Sequence, residues 1–80
     1  MLRTEIESKV NEFLIDDLEI DEEKIYPESH LKHDMGIDSL DYVDIVVIVN
    51  RVFGFKIQNG ELKDVSTLGQ FYDYIESKLA

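Results

Sequence analysis

The chain has no cysteine among its 80 residues. That excludes disulfide staples, a thiolate nucleophile and any cysteine-based zinc site. A single proline, no repeats and no low-complexity tracts leave one domain spanning residues 1–80, with a core small enough to be marginally stable. No apolar run approaches the roughly 20 residues that cross a bilayer. The N-terminal MLRTEIES lacks the apolar stretch of a signal peptide, so the expectation is a cytoplasmic protein without membrane insertion. There is no Gly-rich phosphate loop, no H-E-x-x-H and no basic patch in the sequence. Basic residues are scarce: 8 Lys and Arg against 18 Asp and Glu give a net charge of −10. Such a field repels nucleic acid and anionic membrane and attracts basic protein surfaces; it also serves plain solubility. Hydrophobic residues make up 44% and recur periodically, which argues against disorder.

Three segments carry helical periodicity. From about Thr4 to Ile15, the apolar residues Ile6, Val10, Phe13 and Leu14 fall on one face, with Thr4 and Glu7 spaced as a capping box. Residues 16–37 form a long connection, broken by Pro27 and Gly36, with Leu18, Ile20, Ile25, Leu31, Met35 and Ile37 available to pin it to the core. Loops of this length are often functional. Asp38–Phe53 contains the β-branched run VDIVVIV, which pattern alone leaves open between buried strand and helix. Its length, the capping Asp38, the acidic Asp41 in the first turn and Gly54 at the end favour a helix. Asn59–Asp64 is expected to add one short helical turn. The last helix begins at Thr67, with Gln70 completing a capping box and Leu68, Phe71, Tyr72, Ile75 and Leu79 forming its stripe. The fold class is therefore all-α: three main helices and one short helix, with a long loop between the first two.

On the wheel of the second main helix, Tyr42, Ile45, Val46, Val49 and Phe53 should face the core. Leu40, Val43, Asp44, Val47, Ile48 and Arg51 spread over the other side. That side is apolar enough to be a docking surface rimmed by Asp41 and Asp44, or a second buried layer. The expected core is Ile6, Val10, Phe13, Leu14, Ile45, Val46, Val49, Phe53, Leu68, Phe71, Tyr72 and Ile75. Ser39, in the first turn after the loop, reads by position alone as a cap or a solvent-facing residue. No adjacent base, triad or G-x-S-x-G elbow makes it a nucleophile, and His30 and His33 read as loop surface residues. Asp17, Glu19, Asp21 and Glu28 match EF-hand positions by spacing, but Glu22 stands where the loop needs glycine. This is read as coincidence, with weak divalent binding left open and no metal site assigned.

The string Asp34-Met35-Gly36-Ile37-Asp38-Ser39-Leu40-Asp41 resembles the phosphopantetheine attachment motif of acyl carrier proteins. The likeness extends over almost the whole chain: helix, long loop, D-S-L helix, F-G turn, short helix, final helix. It implies that the second segment is a helix, and that a phosphopantetheinyl transferase, the holo-carrier synthase, esterifies Ser39 with 4'-phosphopantetheine from coenzyme A. Asp38 belongs to the motif and caps the helix. The chain would catalyse nothing; acyl groups would ride as thioesters on the arm, sheltered in a pocket between helices. Ketosynthase, acyltransferase and related enzymes would read Leu40, Asp41, Asp44, Val47, Ile48 and Arg51 on a monomeric carrier. A helix N-terminus, with its dipole and free N–H groups, suits the phosphodiester. In fatty-acid carriers this helix usually continues acidic, whereas Asn50 and Arg51 stand here, and Val46–Val49 is richer in β-branched residues. The expectation is a carrier for fatty-acid or polyketide-type biosynthesis, in a specialised pathway rather than the general one. The alternatives are a peptidyl or aminoacyl carrier, such as one for D-alanine, which the charge of −10 disfavours; a non-carrier acidic adaptor on the same fold; and, ranked last, an enzyme.

Overall fold

A computed structural model describes residues 1–80. Three α-helices, α1 (Arg3–Asp16), α2 (Ser39–Phe53) and α3 (Leu68–Leu79), surround one core, and there are no strands. No helix is long and apolar enough to cross a membrane.

α1 buries Ile6, Val10, Phe13 and Leu14 as its spacing predicts. It starts one residue before Thr4, and the Thr4–Glu7 capping box does not form. Leu2 O already accepts from the N–H groups of Glu5 and Ile6, and the Glu5 carboxylate accepts from the Leu2 N–H at 3.2 Å. Glu7 instead accepts from Arg3 Nε at 2.9 Å. Arg3 reaches on to Asp73 at 2.8 Å and Glu76 at 3.0 Å on α3 and lies over the Tyr72 ring. This cluster ties the start of α1 to α3, and the hydrogen bond to Asp73 is the main cause that raises the Arg3 pKa.

The long connection contains a 3-10 turn at Glu22–Lys24, capped by Asp21. The short element of the fold therefore lies here, and not at Asn59–Asp64, which forms successive i→i+3 turns. Leu31, Met35 and Ile37 join the core, and Leu18, Ile20 and Ile25 pack half-buried against it. The loop is also held by backbone. Pro27 O and Ser29 O accept from the N–H groups of Gly69 and Leu68, and Leu31 N–H donates to Ser66 O, all at 2.9 Å. The first donors of α3, which lack intrahelical partners, are thus satisfied by the loop. Gly69 permits the approach, because a Cβ there would stand 3.2 Å from Pro27 O.

α2 is a helix despite its β-branched run. Burial of Ile45, Ile48, Val49 and Phe53 outweighs a propensity difference of at most about 0.7 kcal/mol per residue. Gly54 ends it in the left-handed conformation, φ 80°. The buried arc is turned relative to the expected one. Ile48 is 6% exposed and belongs to the core, not to the outer face, whereas Val46 and Tyr42 are half-buried. The buried arc thus runs from Ile48 through Ile45 and Val49 to Phe53, shifted toward Ile48 from the arc the wheel predicts. Ile57, beyond Gly54, is also buried.

In α3, Thr67 accepts from Gln70 N–H at 3.2 Å and Gln70 returns the bond to Thr67 N–H at 3.1 Å. Leu68, Phe71, Tyr72 and Ile75 are buried, and Leu79 is half-buried. The Tyr72 hydroxyl donates to the Asn11 side chain on α1.

Candidate functional site

The segment before α2 is shaped by short-range bonds. His30 O accepts from Asp34 and Met35 N–H, and Leu31 O accepts from Ile37 N–H. Gly36 takes the left-handed conformation at φ 72°, which L side chains rarely adopt. The Asp34 carboxylate accepts from His30 N–H at 2.7 Å, and this bond chiefly holds its carboxyl below the usual range. Buried Leu31, Met35 and Ile37 fix this turn to the core, so the residue that opens α2 has a defined position.

Asp38 caps α2. Its carboxylate accepts from Leu40 N–H at 3.0 Å and Asp41 N–H at 3.1 Å, and Asp41 accepts from Asp38 N–H at 3.1 Å. Ser39 is therefore not the cap; it is the exposed first residue of the helix. The N–H groups of Leu40 and Asp41 are not free for an anion, because the Asp38 carboxylate occupies them.

Ser39 stands on a cleft of about 1010 Å³ between the pre-α2 turn, one flank of α2 and the segment 56–66. Ile37, Tyr42, Val46, Ile57, Leu62 and Val65 supply its apolar surface, and burial pushes the Tyr42 phenol up. Lys32, Lys56, Lys63, His30 and His33 also line it. This grouping of three lysines with two histidines was not visible in the sequence. Its members are up to thirty-three positions apart (Lys63 minus His30), and only the return of the chain after Gly54 brings them together.

On the outer flank of α2, Leu40 (75% exposed), Val43 (62%) and Val47 (60%) form an apolar strip beside exposed Asp44 and half-buried Asp41. Ile48 is absent from it. Arg51 is exposed but lies toward α1, its guanidinium 3.8 Å from the Asp17 carboxylate. Asp17, Glu19, Asp21 and Glu28 do not converge: no three acidic or histidine side chains gather to hold a metal ion.

The family model described as phosphopantetheine attachment site matches residues 8–75. The chain is 42% identical over 77 residues to an acyl carrier protein of Thermotoga maritima, covering 96% of this chain and 95% of that one. It is 38% identical over 79 residues to one of Coprothermobacter proteolyticus (99% and 96%), and 34% identical over 80 residues to one of Thermosynechococcus vestitus (100% and 99%). With its all-helical fold and its match to the attachment-site family over most of its length, this chain belongs to the acyl carrier protein family, carriers rather than catalysts, whose members hold a covalently attached 4'-phosphopantetheine group.

Proposed function

We propose that Ser39 is the attachment point of the 4'-phosphopantetheine arm, and that the chain carries acyl intermediates of a fatty-acid or polyketide-type pathway in the cytoplasm. One observation carries this reading. Ser39 is exposed on the first turn of α2 at the mouth of the cleft, while Asp38 and Asp41 make the cap bonds. Its hydroxyl is left to an incoming group. The residues present fit the arm: an exposed serine hydroxyl to esterify and an apolar floor beside it for a chain. When bound, the arm supplies the thiol that a cysteine-free chain lacks.

The partner-reading surface is Leu40, Asp41, Asp44 and Val47, with Arg51 at its far margin. Exposed carboxylates beside an apolar strip suit basic enzymes that must bind fast and release: the transferase, a ketosynthase, an acyltransferase. The carrier acts as a monomer. Incubation with coenzyme A, a divalent metal ion and a broad-specificity transferase should add one phosphopantetheine by intact mass. Ser39→Ala should add none, and a modified Ser39→Ala protein would overturn the assignment.

A further inference from the structure

We infer that the cleft beside Ser39 accepts acyl cargo ending in a carboxylate. The inference rests on the reading of Ser39 as the attachment point and adds the class of cargo.

The chain carries 18 acidic residues against 8 basic ones, yet the cleft inverts that balance. Lys32, Lys56 and Lys63 line it together with two histidines, and Asp38 is the one carboxylate on its wall. The Asp38 carboxylate is committed to the backbone N–H groups of Leu40 and Asp41. None of the three lysines takes part in an ion pair, whereas Arg3, Arg51 and Lys78 do. Three lysines thus line a concave space without an ion-pair partner on the chain.

The shape and the rest of the lining decide what anion fits. A concave cleft takes a small chain rather than the face of a globular partner. Ile37, Val46 and Ile57 offer apolar contact to methylene groups, and lysine stems extend that contact while their heads stay charged. Polar Gln58, Asn59 and Ser66 complete the wall. A chain with a methyl end would bring no partner to the ammonium groups, whereas a carboxylate end makes charge-assisted hydrogen bonds with them. The lysines are exposed, so the effect is salt-sensitive.

The test loads Ser39 through the transferase from three coenzyme A forms: free thiol, octanoyl, and octanedioyl with a free terminal carboxylate. Melting temperature is read at low salt and at about 1 M salt, and amide chemical shifts map the cleft. At low salt the octanedioyl form should melt about 4 °C or more above the octanoyl form, with shifts at Lys32, Lys56 and Lys63. The difference should vanish at high salt and in Lys32→Gln/Lys56→Gln/Lys63→Gln, shrink in each single variant, and persist in Lys9→Gln/Lys24→Gln, whose lysines lie outside the cleft. An octanoyl form as stable as the octanedioyl form overturns the inference. So does an equal salt-sensitive gain in the free-thiol form, which would assign the lysines to the phosphodiester of the arm. Absence of any mass gain in the wild-type chain would instead overturn the reading of Ser39.

Discussion

The carboxylates of Asp38 and Asp41 cap each other's backbone, each accepting from the other's N–H at 3.1 Å. Asp41 therefore serves the fold as well as the surface, whereas Asp44, one turn on, is exposed and its carboxylate makes no hydrogen bond or ion pair. Substituting the two separately divides the two effects. Asp44→Lys should slow transferase modification roughly 1.4- to 5-fold at low salt, the range of one exposed ion pair, with an unchanged melt. Asp41→Lys should slow modification and also lose roughly 0.3–1.5 kcal/mol of stability, the range of a helix-capping contribution. Kinetics of Asp44→Lys that match the wild type at low salt would remove Asp44 from the partner surface.

Adjacent residues of α2 have opposite environments: Val47 is 60% exposed and Ile48 is 6% exposed. Ile48→Ala should cost roughly 2–5 kcal/mol, transfer and cavity combined. Val47→Ala should stay within about 0.5 kcal/mol while weakening partner binding. Denaturant unfolding of the two variants checks this, and comparable losses in both would show that α2 is rotated from the orientation described.

Burial, together with the charge of a nearby carboxylate, pushes Tyr72 and Tyr74 up to about 12 from 10.0. The neighbouring charges are Glu7 for Tyr72 and Glu61 for Tyr74. In the unfolded chain both phenols ionise near 10, while in the folded chain they stay neutral to higher pH. The unfolded state then binds fewer protons between those values, so stability falls as pH rises from about 10 toward 12. Below pH 10 neither residue contributes pH dependence. Tyr74→Phe removes a buried hydroxyl that lacks a hydrogen-bond partner, and should flatten the alkaline decline with little loss at neutral pH. Tyr72→Phe should flatten it too, but also lose the bond to Asn11. Melts recorded from pH 8 upward that decline identically in both variants and wild type would contradict the assignment.

The parts of this structure legible in the sequence are those set by local rules. The caps at Asp38 and Thr67, the glycine end at Gly54 and the stripe of α3 follow from spacing alone. Eleven of the twelve expected core residues are buried, Val46 being the exception. What escaped depends on long-range contact. Ile48 belongs to the core cluster although the wheel placed it on the outer side, because the turn of α2 about its axis is set by its neighbours and not by its own periodicity. The start of α1 is set partly by Arg3 reaching Asp73 and Glu76, 70 and 73 positions away. Leu31, Met35 and Ile37 carry no helical period, so their depth in the core was visible only as hydrophobicity. The position of Ser39 at a helix start was legible; the cleft beside it, and the lysines on its wall, required the fold.

Arg51 bears on which pathway the carrier serves. Asn50 and Arg51 are exposed near the end of α2, where fatty-acid carriers are expected to continue acidic. Arg51 lies 3.8 Å from Asp17, but both side chains remain largely exposed, so this contact screens the cation without removing it. A general fatty-acid synthase enzyme whose basic residues match Asp41 and Asp44 would bring its next basic group against Arg51. Like charges across an interface reject a wrong partner more sharply than missing contacts do. The dedicated partner should present an acidic or neutral group there. Arg51→Glu alone would face Asp17 with a like charge, so Arg51→Glu/Asp17→Lys is the matched control that restores the local pair. Loaded natural carrier should turn over poorly with general fatty-acid synthase enzymes. Asn50→Glu/Arg51→Glu should improve it, and Arg51→Glu/Asp17→Lys should improve it without loss of melting temperature. Efficient turnover of the natural chain, with no gain in either variant, would place it among ordinary fatty-acid carriers.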